Sequence, residues 1–144
     1  MSNEVTKMIN KMEVEDFFKL YEKQLNEVLA GEKSVTKFAD FYADAFIGTD
    51  SAQMKVAKND QTLVDMIHAN FDYYRSIGAK KMIATAVSVQ ELDDYHALAK
   101  VEWEGVYMKS EQGSHVSFAV QYLVKQQEAN LVIFGSITGD ETST

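Results

Sequence analysis

Neither cysteine nor proline occurs in this 144-residue chain. Without thiols there is no disulfide, no thiolate nucleophile and no cysteine-ligated metal, a usage that fits a reducing compartment. Without proline, no X-Pro isomer slows folding or locks a turn. Basic residues are short as well: 14 Lys and Arg stand against 22 Asp and Glu, for a net charge of −8 and a pI near 4.8. Nucleic-acid binding draws on a cationic field that displaces counterions, and no Lys/Arg cluster here is dense enough to reverse the overall sign. Nucleic acid is therefore not an expected partner. The N-terminal MSNEVTKMINKM lacks the apolar core of a signal peptide, and no stretch approaches the length of a membrane span. The cytoplasm is the expected location, with no membrane partner. Also missing are a Gly-rich phosphate loop and a serine nucleophile elbow, so phosphoryl transfer and serine acyl transfer have no support.

What is present reads as an ordinary globular chain, 46% hydrophobic and 25% charged. The clearest pattern lies between His96 and Thr138, where HALAKVEWEGVYMK, SHVSFAVQYLVK and NLVIFGSIT follow one another across short polar turns. Residues two apart share a face of a strand. Ala97, Ala99, Val101, Trp103 and Tyr107 thus share one face, and Val116, Phe118, Val120, Tyr122 and Val124 share another. Lys100, Glu102 and Glu104 lie opposite the first set, and His115, Ser117, Gln121 and Lys125 opposite the second. An antiparallel sheet with one covered face has this alternation. The strand around Phe134 is apolar on both sides, as a central strand or one covered twice would be.

The preceding part supplies the cover. Val14, Phe17, Phe18, Tyr21, Leu25, Val28 and Leu29 recur at three and four residues, a helical stripe that Gly31 stops. Val5, Met8, Ile9 and Met12 continue that spacing backwards as a leading helical segment. Ser34 is placed to cap a second helix carrying Val35, Phe38, Phe41 and Tyr42. FIGTD and the stretch from Gln53 to Ala57 suit a small hairpin. Asn59 or Asp60 then caps a third helix with Leu63, Val64, Ile67, Phe71 and Tyr74 on its apolar side, ended by Gly78. Lys80 to Glu91 returns to strand. The expected fold is α+β: one domain over residues 1–138, with 1–12 as the leading segment and 139–144 as a frayed tail. Three helices across one face of a curved, mostly antiparallel sheet leave a hollow, so a cone open at one end is expected.

This element order resembles the SnoaL-like branch of the nuclear transport factor two-like superfamily, which includes ketosteroid isomerases and polyketide cyclases. FADFYADAFIGTD, the capped helix NDQTLVDMI and the closing VQYLVKQQEANLVIFGSI carry the likeness, which spans nearly the whole chain. The resemblance implies a cystatin-like α+β barrel holding a small ligand, and a dimer paired through the outer sheet face. It implies no particular reaction, because members include enzymes and proteins without catalysis. In the isomerases an Asp base follows the F/L-Y-A-D helix end. Asp50 stands there after Phe41-Tyr42-Ala43-Asp44, although Ser51 replaces the proline usual next to it. Tyr21 matches the position of the first-helix oxyanion donor, while no acid on the inward face of His96 to Lys109 matches its partner.

Each candidate has a plain reading beside its functional one. Asp50 is a general base at a pocket mouth or a strand-end turn residue. His68 reaches into the cone as an acid or base, or hydrogen-bonds at the sheet edge. Tyr21, Tyr42, Trp103, Tyr107, Phe118, Tyr122 and Phe134 are pocket wall or simple core. His96, Glu102, Glu104 and His115 raise a metal site, but Lys100 on the same face favours cross-strand ion pairs, and neither metal nor cofactor is expected. The functional expectation is a small-molecule-binding domain for a mostly apolar ligand, working as an isomerase, cyclase or dehydratase by proton transfer. The alternative is a ligand-binding module, structural homodimer or accessory subunit without chemistry.

Overall fold

The computed structural model describes residues 7–109, 112–140 and 142–143. Helix α1 spans Lys11–Leu29, and the Asn10 side chain caps it by accepting from the Met12 and Glu13 N–H groups. Residues 7–10 precede the helix as irregular chain, and the Ile9 N–H donates to Asp94 O at 2.7 Å. The leading segment therefore does not extend α1 over Met8 and Ile9, because Asn10 ends it and Ile9 is bound elsewhere. Val5 lies outside the described residues.

The second helix is shorter than its spacing predicts. Helix α2 covers only Val35–Phe38, Ser34 makes no side-chain capping bond, and a 3-10 turn runs over Ala39–Phe41. Strand β1 begins at Tyr42 and continues to Thr49, four residues ahead of FIGTD. Tertiary partners win over the helical pattern here. Tyr42 is in register with Ile133, and Asn59 Nδ2 donates to Ala39 O and Tyr42 O, each at 2.9 Å. Strand β2, Met54–Lys58, pairs back on β1 as the hairpin. Helix α3, Gln61–Ser76, is capped by the Asp60 carboxylate and stopped by Gly78. Gly78 has φ +92, and a Cβ there would lie 2.5 Å from Met108 O, so only glycine fits that turn.

Strands β3 (Ala79–Glu91), β4 (His96–Lys109), β5 (Gln112–Gln127) and β6 (Asn130–Thr138) form the antiparallel meander. The sheet order is β2-β1-β6-β5-β4-β3, with β1 and β6 parallel. A central β6 agrees with its apolar character on both sides; its parallel partner carries no signal in the sequence. The tail expected to fray contributes β7, Thr142–Ser143, paired with β5.

The three helices cover the inner face. There Ala97, Ala99, Val101, Trp103 and Tyr107 of β4 are buried beside Val120, Tyr122 and Val124 of β5. A Cβ on Gly105 would meet the Tyr107 ring at 2.6 Å, so this gap in the apolar row makes room for a ring. Edge strand β3 is tied to α1 by side chains that imitate a neighbouring strand: Asn26 bonds both N and O of Met82 at 2.8 Å, and Glu22 accepts from Ala84 N at 2.7 Å. Arg75 of α3 donates to Val28 O and Leu29 O, satisfying carbonyls at the C-terminus of α1. No helix among the described residues is long and apolar enough to cross a membrane.

Candidate functional site

The helices do not fill the concave side. A cavity of about 640 Å³ lies between α1, α3, the start of β1 and the inner faces of β4, β5 and β6. Leu25 and Leu29 of α1, Leu63, Met66, Ile67 and Phe71 of α3, and Phe38 and Phe46 give it an apolar wall. Its rim is polar and exposed, with Asp50, Gln53 and Lys55 on one side and Thr62, Asp65 and Asn70 of α3 on the other.

At the closed end four polar tips meet. Trp103 Nε1 donates to the Tyr122 hydroxyl at 3.2 Å, and the Tyr21 and Tyr42 hydroxyls are 2.7 Å apart. The Tyr21 ring packs against those of both Tyr122 and Tyr42, so the two pairs lie side by side. Their rings pack edge-on or tilted, Tyr21 lying 5.7 Å from Tyr122 and 6.2 Å from Trp103 between centroids. The sequence explains the convergence. Tyr21 sits one turn beyond Phe18 on the buried stripe of α1, while Trp103 and Tyr122 are inward positions of adjacent strands. Tyr42 shares a face of β1 with Phe46, its ring 5.0 Å away.

Burial disfavours a phenolate at each of these tyrosines. It pushes Tyr42 up to about 12, against the hydrogen bond from Tyr21, which favours the anion. Tyr122 is driven higher by burial and then by Tyr42, with the bond from Trp103 opposing. Tyr21 stands well above its ordinary value through burial and the neighbouring charges that ionised Tyr122 or Tyr42 would carry. At neutral pH all three hydroxyls keep their protons.

Of the residues the sequence nominates, Tyr21, Tyr42, Trp103, Phe118 and Tyr122 border the cavity together, and Asp50 stands on its rim. Asp50 is exposed, and its Oδ1 accepts from Ala52 N at 2.8 Å and Gln53 N at 3.0 Å, closing the β1–β2 turn. Tyr107 is buried on the inner face but lies outside the cavity wall. Phe134 is on the outer face, its ring 6.0 Å from that of His96. His68 is exposed on α3 and pairs with Asp72 at 3.0 Å, away from the cavity. Glu104 pairs with His115 across β4 and β5, and His96 pairs with Asp93 at 2.8 Å. Among the described residues no three His, Asp or Glu side chains are grouped to hold a metal. Sequence reasoning missed Phe38, Phe46, Leu25, Met66 and Asp65 as lining residues. Tyr42, Phe46 and Gly48 alternate along one face of β1, a signal hidden by starting that strand too late.

The family model described as NTF2-like protein (DUF6841) matches residues 12–141. Among curated proteins none matches the sequence. Solved structures show the same architecture. An NTF2-like protein with a cystatin-like fold from Novosphingobium aromaticivorans superposes with a TM-score of 0.70 at 10% identity, over 90% of this chain and 80% of that one. A ketosteroid isomerase-like protein from Erwinia carotovora atroseptica gives 0.67 at 12% identity, over 90% and 94%. A Catenulispora acidiphila protein in complex with S-DNPA gives 0.67 at 13% identity, over 89% and 90%. Identities this low carry the fold alone. With the family match, they bear out the resemblance at the level of the superfamily. The chain belongs to the NTF2-like protein family DUF6841.

Proposed function

We propose that the cavity binds a small, mostly apolar molecule and that Asp50 on its rim exchanges a proton with it. The observation that carries the reading is the cavity itself: about 640 Å³, with Leu25, Leu29, Leu63, Ile67 and Phe71 among its apolar lining and exposed polar side chains at its rim. That volume and distribution suit a small organic ligand. The Catenulispora relative was solved with a bound small molecule, and another relative is described as ketosteroid isomerase-like. Both support a ligand here without naming it. Asp50 is the carboxylate that the rim offers beside β1, and one of its oxygens is held by the turn. Both bonds are to Oδ1, which supports a general base acting through the other oxygen.

The test is equilibrium dialysis with isopropenylnaphthalene for binding, followed by deuterium exchange at the acetyl carbon of bound acetylnaphthalene. Binding with exchange that Asp50→Asn abolishes supports both halves. Binding without exchange leaves a ligand-binding module, and no binding of either probe ends the reading.

We also propose that two copies pair through the outer sheet face. Val106, Met108, Ala119 and Leu123 lie there, and Ile47, Met54, Val56 and Ile137 extend the apolar surface across β1, β2 and β6, all four more than 40% exposed. An apolar face of this kind is unusual for a solvated sheet. Sedimentation as a monomer at micromolar concentration would remove this proposal.

A further inference from the structure

Lys55, Gly48, Ser136 and Tyr122 form one row across four strands. Gly48 is in register with Lys55 of β2 and with Ser136 of β6, and Ser136 is in register with Tyr122 of β5. All four border the cavity, and the buried Tyr122 fixes the row on the concave face. Nearby hydroxyls are committed elsewhere: Thr49 Oγ1 donates to Gln53 O and Ser51 Oγ to Asp140, each at 3.0 Å. Among the described residues neither the Lys55 ammonium nor the Ser136 hydroxyl has a hydrogen-bond or ion-pair partner. Gly48 separates them without a side chain. A Cβ there would stand 3.0 Å from the Phe46 ring and 3.6 Å from Ser136 Oγ, crowding the space in front of that hydroxyl. Adjacent strands lie about 4.8 Å apart, so Lys55 and Ser136 flank a notch about 10 Å wide at the backbone. An ammonium offers three donors and no acceptor, and a hydroxyl can donate. The notch is therefore lined by unspent donors on both sides, one of them charged.

We propose that Lys55 and Ser136 form a carboxylate subsite at the mouth of the cavity, so that the ligand is an acid with an apolar body. This rests on the reading of the cavity as a ligand site and adds the class of ligand and the residues that select it. The lysine stem is flexible enough to carry the ammonium over Gly48. One carboxylate oxygen meets it there, and the other accepts from the Ser136 hydroxyl. The apolar body points inward along Leu25, Leu63 and Phe71. The head group stays at the open mouth and keeps part of its hydration, which limits the cost of binding a charge. Asp50 and Asp65 share the rim and oppose an anion. Asp50 lies in the turn beyond β1 with Oδ1 on two backbone N–H groups, and Asp65 lies on α3 and accepts from Gln61 Nε2 at 2.7 Å. Both are exposed and outside the row, so they act on the head group through screening solvent, whereas Lys55 and Ser136 touch it.

The test uses three probes of similar shape: naphthoate, neutral acetylnaphthalene and cationic naphthylmethylamine. Their affinities are measured by equilibrium dialysis for the wild type, Lys55→Met and Ser136→Ala. Methionine keeps the apolar stem and removes the charge. Losing a charged hydrogen bond lowers naphthoate affinity in Lys55→Met by about tenfold, while acetylnaphthalene stays within about twofold. Ser136→Ala removes a neutral donor and costs naphthoate about threefold. Added salt weakens naphthoate binding to the wild type and leaves binding to Lys55→Met almost unchanged. Acetylnaphthalene binding doubles as the control that Lys55→Met folds with its cavity intact. Naphthoate affinity unchanged in either variant overturns the assignment, and so does an equal loss of naphthoate and acetylnaphthalene in Lys55→Met. A wild type that holds naphthylmethylamine more tightly than naphthoate also overturns it, because the rim carboxylates would then set the sign. If the wild type binds acetylnaphthalene but not naphthoate, the cavity reading stands and this inference falls. If it binds none of the three, both fall.

Discussion

The two ends of the cavity hold polar side chains in opposite ways. At the closed end, Trp103 bonds to Tyr122 and Tyr21 to Tyr42, and burial raises all three tyrosine pKa values. At the rim, Asp50 is bonded to the backbone of its own turn and Asp65 to Gln61 one helical turn away, with both carboxylates exposed. A polar group out of water must find a partner inside the protein, whereas one in water needs none. The closed end is thus prearranged and costly to disturb, and the rim is adaptable and inexpensive to change.

The sharpest way to break this contrast is to truncate one residue at each end. Trp103 is 3% exposed and packs against Tyr21, while its N–H serves Tyr122. Trp103→Ala is expected to cost about 3–5 kcal/mol in denaturant unfolding. Lys55 borders the same cavity but is exposed, so Lys55→Ala is expected to stay within about 0.5 kcal/mol. A loss below about 1 kcal/mol for Trp103→Ala would mean that the closed end is not packed as a core.

Alkaline titration gives a second, smaller effect that the rim does not share. A raised folded pKa means that the native tyrosine keeps its proton at a pH where the unfolded one has lost it. Stability then falls as pH climbs above the ordinary value of 10.0, and for Tyr42 it continues to fall until about 12. Each such tyrosine contributes a slope of about 1.4 kcal/mol per pH unit across its window. Unfolding curves between pH 8 and pH 12 should show this decline, and Tyr42→Phe should make it shallower. A wild-type stability that is flat through pH 11 would place these hydroxyls in water.

These two regions were not equally legible. The meander was readable because period-two alternation fixes which face is buried, and Trp103 and Tyr122 fell on the inward face by that rule alone. Helices α1 and α3 were readable from their stripes and from Gly31 and Gly78 at their ends. Tyr42 was misplaced on a helix because Phe38, Phe41 and Tyr42 have helical spacing, while the parallel pairing of β1 with β6 that extends this segment lies some ninety residues away. The two hydrogen-bonded pairs were not readable at all. They join positions 21 with 42 and 103 with 122, and only the assembled sheet and helix bring their tips together. At the rim the ambiguity of Asp50 was inherent, since a base and a turn residue look alike in sequence, and the fold answers only by placing it on the rim with one oxygen bound to the turn.

The smallest expected effect is at Asp50, and it asks how far the two ends differ. Its Oδ1 accepts two backbone N–H groups, a task that an Asn side-chain oxygen performs equally well. Asp50→Asn should therefore leave stability at pH 7 within about 0.5 kcal/mol of wild type. Asp50→Ala removes the acceptor and leaves both N–H groups to solvent, at a cost of about 0.5–1.5 kcal/mol. A carboxylate held out of water behaves otherwise: its ionised form is disfavoured in the folded state, so neutral Asn would relieve a cost and stabilise the protein near neutral pH. Paired unfolding curves of the two variants at pH 7 distinguish the cases. A near-neutral Asn variant beside a weakened Ala variant keeps the rim solvated and its carboxylate available to exchange protons with solvent. A clearly stabilised Asn variant would show that the rim closes over Asp50 in solution, and the contrast between the two ends of the cavity would then be one of bonding partners rather than of water.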